Sequence, residues 1–386
     1  MTLQRPADFK NLSTPDTFKA LLADRVYYIC KKSHLFGWMG SRIVKKLPRF
    51  DGVVVIRRSE HETRDVCERL GVETTCIEQL ELLKLANTHK ITLVDFSEDL
   101  FSMSWCKKLA EHPNITRCDF MQAYFEVNEA IQLYKPLQEE RAFVIDNLQA
   151  YDRIYDRLTD DLSKRTLMSW LQVMLNFDRT PLYQTRMPQE MEYMNALFQQ
   201  ASIIPKKDEV YVDVGAANGD TVHKFLNASR MQYKKIVALE PHEANYNALL
   251  NIQNILPNFF AYRYLAGDKE DLVSFYNNPH TPEGSNALME GNTVVKQVKL
   301  DDLVPDATFI KMDVEGYETS VLRGAANTIK ANKPNMAVTT YHYARDFLNI
   351  IATMDEIHKY KYIALRQPHV NMHDFSYYFS DTQSFA

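Results

Sequence analysis

Asp213, Gly215, Asn218, Gly219 and Asp220 crowd into the run VYVDVGAANGDTV (Val210–Val222), where an apolar stretch ends in a glycine turn and a helix begins. In an open α/β sheet, that junction is where a nucleotide-like ligand lies, outside the carboxyl ends of the strands. A dinucleotide site needs glycine at the first, third and sixth positions, so that a diphosphate can rest on bare helix N–H groups. Counted from Gly215, those positions hold Gly215, Ala217 and Asp220. Asp220 sets a negative charge where two phosphates would dock, so a nicotinamide dinucleotide is disfavoured. S-adenosylmethionine carries no phosphate, and its amino and sulfonium groups are cationic, so Asp213, Asp220 and the loop carbonyls suit it. Glu240 ends the next apolar run, KIVALEPH, where a carboxylate can accept hydrogen bonds from both ribose hydroxyls.

A second set of residues could act on the acceptor. A methyl group on a sulfonium leaves by in-line displacement, so a protein that uses it must align an acceptor and take up any proton the acceptor loses. Asp313 and Glu315 follow the run TFIKM, and Tyr341 and His342 follow MAVTT. An imidazole near its reference pKa of ~6.5 accepts a proton readily, whereas a carboxylate needs burial to raise its own. The sequence therefore favours Glu315 and His342 as the substrate-facing pair and sets Asp313 nearer the cofactor. Plainer roles exist: Glu315 before Gly316 can cap the helix through VLRGA, and His342 can be a satisfied loop histidine. No Asp-Asn pair follows the fifth strand, and no metal is expected. NNPHTPEGSNALMEG (Asn277–Gly291) reads as a lid over the acceptor, and Tyr183, Glu190 and Tyr193 as one helical face lining its pocket.

The elements that must carry these residues are legible from about Pro205 onward. Near-continuous apolar runs, EVYVDVG, KIVALEP, FFAYRYLAG, TFIKMDVEG, MAVTTYH, YIALRQ and SYYF, alternate with helical stretches. That pattern predicts a parallel sheet covered on both faces, closed by an antiparallel hairpin of the last two strands. Seven strands ending so are the architecture of class I methyltransferases. Glycine agrees: seven of the 11 lie between Gly215 and Gly324, where the backbone has tight turns to make.

With the strands placed, the motifs resemble a family. VYVDVGAANGD, VALEPH, LAGD (Leu265–Asp268), VKLDDLV (Val298–Val304) and IKMDVEGYETSVLRGA (Ile310–Ala325) together look like the FkbM-type methyltransferases. The likeness runs from about Pro188 to Phe379. It implies a class I fold, S-adenosylmethionine as donor, and methylation of oxygen on sugars or polyketide-type products. It also matches Asp213, Gly215 and Gly219 to the cofactor loop, Glu240 to the ribose acid, Asp268 to a polar residue beside adenine, and Asp313 and Glu315 to an acidic pair after the fourth strand. The ending, TTYHYARDFLNIIATMDEI then YKYIALR, resembles a branch with an extra N-terminal domain.

The N-terminal part fits that description without a motif. RVYYIC, GSRIVKKL, GVVVIRR, HETRDVCERLG, KITLVDF and SWCKKLAEH alternate between strand and helix patterns, which predicts a smaller Rossmann-like α/β domain over 1–125. Its first turn, KKSHLFGWMGS, lacks G-x-G-x-x-G, so it need not bind a nucleotide. Residues 126–200 read as a helical connector, and 201–386 as the S-adenosylmethionine-binding domain.

Composition bounds the rest. At 386 residues, 45% hydrophobic and 25% charged, the chain is a folded protein of two or three domains. Lys+Arg 45 against Asp+Glu 50 gives −5, which argues against nucleic acid and membrane surfaces as partners. Five scattered cysteines without a C-x-x-C pair argue for reduced thiols, and with no signal-like start the expectation is a cytoplasmic protein. The expected partner is a small-molecule or glycan acceptor, with self-assembly left open. An NAD(P)-dependent oxidoreductase and a catalytically silent binding module stand as the alternatives.

Overall fold

Val210–Val214 (β6) is buried at every residue, as the apolar run demands, and it lies in the interior of a seven-stranded sheet. The computed structural model describes residues 5–6, 9, 25–29, 49–55, 59–71, 73–97, 100–127, 137–278, 285–370, 372 and 374–386. Lys235–Leu239 (β7) and Phe259–Tyr262 (β8) extend the sheet on one side of β6, and Phe309–Met312 (β12) and Asn335–Thr339 (β13) on the other, all parallel. Tyr362–Arg366 (β14) and Ser376–Ser380 (β15) form the expected antiparallel hairpin. The later strand lies inside, between β13 and the edge strand β14, giving the order β14-β15-β13-β12-β6-β7-β8.

Helices cover the sheet, and aromatic stacking joins the layers. Tyr211 of β6 stacks on Phe225 of the helix Asp220–Ala228, ring centroids 4.2 Å apart and 7° from parallel. The run FFAYRYLAG is two strands. The chain turns at Arg263, so Tyr264–Ala266 (β9) leaves the main sheet and pairs parallel with Thr293–Val298 (β11), which pairs antiparallel with Asp271–Phe275 (β10).

The N-terminal strands Arg25–Ile29 (β1), Gly52–Val55 (β2) and Ile91–Asp95 (β4) appear where the apolar runs put them. Cys76–Glu78 (β3) and Ile115–Asp119 (β5) add two that were not foreseen, the first only three residues long, the second interrupted by Arg117. The five form an all-parallel sheet, β3-β2-β1-β4-β5. The stretch GSRIVKKL and the turn KKSHLFGWMGS lie outside the described residues. At the carboxyl ends of β4 and β5, Asp95 and Asp119 are fully buried and neutralised by arginines. Arg117 reaches them at 2.6 and 3.1 Å, and Arg179 reaches Asp119 at 3.0 Å. The acids at the end of this sheet that could have met a ligand are taken up by these ion pairs.

The chain divides into two compact units, one of Met1–Ala7, Asn147–Met168 and Thr185–Ala386, the other of Asp8–Asp146 and Ser169–Gln184. The segment read as a connector is helical over Leu137–Asp146, Leu148–Arg157 and Asp161–Asn176, and its residues are shared between both units. Residues 147–168 are pinned to the C-terminal part: the Tyr151 hydroxyl donates to the Ala344 carbonyl at 2.8 Å, and Arg157 pairs with Asp355 at 2.7 Å. Among the described residues, no helix is long and apolar enough to cross a membrane.

Candidate functional site

The glycine turn after β6 and the loop after β12 meet closely. Gly215 has φ +73°, and a Cβ there would lie 1.9 Å from the carbonyl oxygen of Asp313. Only glycine accepts both the conformation and the contact. The N–H groups of Gly215 and Ala216 donate to the Leu239 carbonyl at 3.0 and 3.1 Å, tying the turn to the end of β7. Between these loops and β9 lies a cleft lined by Gly215, Glu240, Asn245, Leu265, Asp313 and Glu315, among others.

Glu240 stands at one side of the cleft. It is buried, accepting from the Ala217 N–H at 2.9 Å through one oxygen and the His242 N–H at 2.8 Å through the other. Each oxygen keeps a lone pair for a further donor. Burial pushes its pKa up to about 7, against the pull of those two N–H groups.

Asp213 does not reach the cleft. It is fully buried, 3.2 Å from Lys311 Nζ, and accepts a short hydrogen bond from the Thr221 hydroxyl. Lys311 also donates to the Gly215 carbonyl at 2.8 Å. The pair holds the turn from behind, so Asp213 shapes the site rather than lending it charge. Asn218 and Asp220 are exposed beside Gly219, which has φ +93° and caps the helix Asp220–Ala228. Asp220 sits in the first turn of that helix, where a carboxylate complements the helix dipole. Asp268 is exposed as well, and the wall near it comes from Leu265 and Ala266 instead.

Asp313 and Glu315 do face the cleft. Asp313 accepts from the Thr339 hydroxyl at 3.1 Å, and the Tyr193 hydroxyl lies 3.5 Å from its other oxygen. Glu315 has φ +55°, a left-handed conformation that costs a side chain of its type on the order of 1 kcal/mol and so marks a site under constraint. Burial pushes its carboxyl up, with His342 pulling the other way.

His342 is not at the cleft surface, contrary to the expectation of a neutral, substrate-facing base. It is 3% exposed, with Nε2 3.4 Å from Glu315 and 3.6 Å from Asp313, and Nδ1 3.1 Å from the buried Glu318. Burial would push the imidazole down, but Glu315 and Glu318 outweigh it and raise its pKa well above the ordinary value. Behind the ring, burial and Glu318 push Asp346 up to about 8.

Three further expectations meet the structure. Tyr183, Glu190 and Tyr193 do not share a helical face, because Thr180–Gln184 and Gln189–Met191 are separate short turns and Glu190 is exposed. Of the three, Tyr193 approaches Asp313. The segment Asn277–Gly291 contributes Ser285, Asn286 and Ala287 to the cleft wall; its residues 279–284 lie outside the described set. Lys311 and Glu318 went unforeseen. A lysine inside the apolar run FIKM was the signal for the first, and a third acid spaced after Asp313 and Glu315 for the second.

A mostly parallel seven-stranded sheet with a carboxylate-lined cleft at its strand ends defines a class I methyltransferase fold. Residues 213–363 match the methyltransferase FkbM domain. Over 174 residues it is 24% identical to the hexuronic acid methyltransferase AglP of Haloferax volcanii, covering 43% of this chain and 68% of that one. The crystal structure of methyltransferase FkbM from Methylobacillus flagellatus shares the fold, with a TM-score of 0.73 at 20% identity, over 97% of this chain and 94% of that chain.

Proposed function

We propose that the chain transfers the methyl group of S-adenosylmethionine to a hydroxyl oxygen of a sugar or glycan. The observation that carries this reading is the charge of the cleft. Glu240, Asp313 and Glu315 line it, and among the described residues no lysine, arginine or histidine does. Such a lining attracts a sulfonium donor and repels a diphosphate. Glu240 is placed to accept from ribose hydroxyls, while Leu265, Ala266 and Phe275 offer an apolar wall for a base. The sulfonium then faces the loop after β12, where Asp313 stabilises its charge. An acceptor hydroxyl that donates to Glu315 gains electron density at the attacking oxygen.

A sugar is favoured as acceptor by the relative that acts on a hexuronic acid, as its name states. Calorimetry with S-adenosylhomocysteine and with NAD tests the donor. Micromolar binding of the first and none of the second is expected, and the reverse would overturn the reading. A screen of uronic acids and neutral sugars with labelled donor then tests the acceptor, with label expected on oxygen.

A further inference from the structure

Asp313, Glu315 and His342 each offer one ligand atom, and those atoms all lie within 4.8 Å of one another. Their spacing is informative. Nε2 of His342 is 3.4 Å from a Glu315 oxygen and 3.6 Å from an Asp313 oxygen. Both exceed the ~2.7–3.2 Å of an N–H···O hydrogen bond. Two donors bound at about 2.1 Å to one cation stand roughly 3.0–3.4 Å apart, close to what is seen.

The histidine supplies an independent observation. It is 3% exposed, yet its Nε2, set toward the two carboxylates, makes no hydrogen bond. A buried polar atom in that state costs about 1–3 kcal/mol unless something binds it. On its other side, Nδ1 is 3.1 Å from Glu318, which is 1% exposed, in ion-pair range but, like Nε2, without a hydrogen bond of good geometry. A carboxylate behind the far nitrogen is the usual support of a metal-bound imidazole, fixing its tautomer and orientation.

We propose that Asp313, Glu315 and His342 form a binding site for one divalent cation, with Glu318 as the positioning residue behind His342. Two carboxylates and one imidazole suit Mn²⁺ or Zn²⁺ better than Mg²⁺, which takes oxygen ligands and keeps its waters. Because Asp313 and Glu315 line the cleft, the cation's remaining positions open toward it. Its use rests on the methyl-transfer reading above, with the cation in place of Glu315 activating the acceptor hydroxyl and Glu240 left as the free carboxylate of the cleft. An acceptor hydroxyl bound there ionises more easily, as water does on a metal. The oxygen–hydrogen bond breaks and its proton leaves to solvent water. The oxygen–carbon bond forms as the carbon–sulfur bond breaks, with its electron pair staying on sulfur.

The test titrates Mn²⁺ alone into the chelator-treated full chain and follows free Mn²⁺ by electron paramagnetic resonance. One ion per chain is expected, displaced by Zn²⁺ more readily than by Mg²⁺. Glu315→Gln should weaken binding at least tenfold, Glu318→Gln by about ten- to a hundredfold, and the distant, exposed Glu270→Gln not at all. Unchanged far-ultraviolet circular dichroism shows that each variant is folded. No Mn²⁺ on the wild-type chain, or equal binding by Glu315→Gln, would overturn the site. S-adenosylhomocysteine bound without Mn²⁺ removes the cation alone, whereas Mn²⁺ bound without S-adenosylhomocysteine removes the methyl-transfer reading and leaves the site standing.

Discussion

Lys311 Nζ lies 3.2 Å from Asp213 Oδ1 and 2.8 Å from the Gly215 carbonyl, so one buried ammonium joins β12, β6 and the glycine turn. Lys311 is 3% exposed and Asp213 fully buried, out of reach of solvent that could substitute for either. Removing one partner leaves an uncompensated buried charge, which costs about 3–5 kcal/mol. Lys311→Met should therefore lower stability by about that much, read from the urea midpoint. The double variant Lys311→Met, Asp213→Leu should recover a large part of the loss. If the single variant proves as stable as the wild type, the clamp is not structural.

Gly215→Ala tests the close approach of the two cleft loops. The added Cβ would fall 1.9 Å from the Asp313 carbonyl, and φ +73° strains any residue with a side chain. The loops must separate, moving Asp313 and Glu315 away from the turn. Binding of S-adenosylhomocysteine should drop by at least tenfold with the far-ultraviolet circular dichroism unchanged. Affinity equal to that of the wild type would mean that the loops tolerate separation.

How much of this was legible in the sequence follows from what each residue depends on. Strand positions such as Val210–Val214 and Ile91–Asp95 were readable because burial on both faces demands unbroken apolar runs. The break at Arg263 was not, since partner choice between two sheets is decided by tertiary packing and leaves no mark in a run of aromatics. Glu240, Asp313 and Glu315 were readable as residues of the crevice because strand ends point at it. The burial of His342 was not readable, because Glu315 and Glu318 are brought to it from another loop and helix, which no local pattern announces. Asp213 pairs with Lys311, nearly a hundred positions away, a contact that no spacing in the sequence shows.

Glu240 makes cofactor affinity depend on pH. Its pKa is pushed up to about 7 by burial, above the ~4.3 of an exposed glutamate. Between those values, the unfolded chain releases the proton first, so ionisation costs the folded state stability as pH rises through that window. Ribose hydroxyls donate to the ionised carboxylate, so ligand binding favours that form and affinity rises with pH. At pH 6 about one site in eleven is ionised, so S-adenosylhomocysteine should bind roughly tenfold more weakly at pH 6 than at pH 8. Glu240→Gln should bind weakly at both. A pH-independent wild-type affinity would mean that the ligand does not meet Glu240.

The edge of the main sheet rests on Arg366, which is 1% exposed at the end of β14. Its guanidinium pairs with Asp160 at 3.2 Å, donates to the Ser163 hydroxyl at 2.6 Å and donates to the Gln200 carbonyl at 2.6 Å. The Ser163 hydroxyl in turn accepts from the Leu365 N–H at 2.8 Å, so the chain around Asp160 is stitched to the edge strand by one connected network. Arg366→Met keeps much of the side chain's length but strands the Asp160 carboxylate and two other acceptors. A loss of about 3–5 kcal/mol is expected, with hydrogen exchange accelerating at Leu365 and Ser163, whose N–H groups donate to the Ser163 hydroxyl and the Asp160 carboxylate. Lysine cannot reproduce the planar fork that serves several acceptors at once, so Arg366→Lys should recover only part of the loss. Full recovery by lysine would show that charge alone, and not the geometry of the guanidinium, holds the edge.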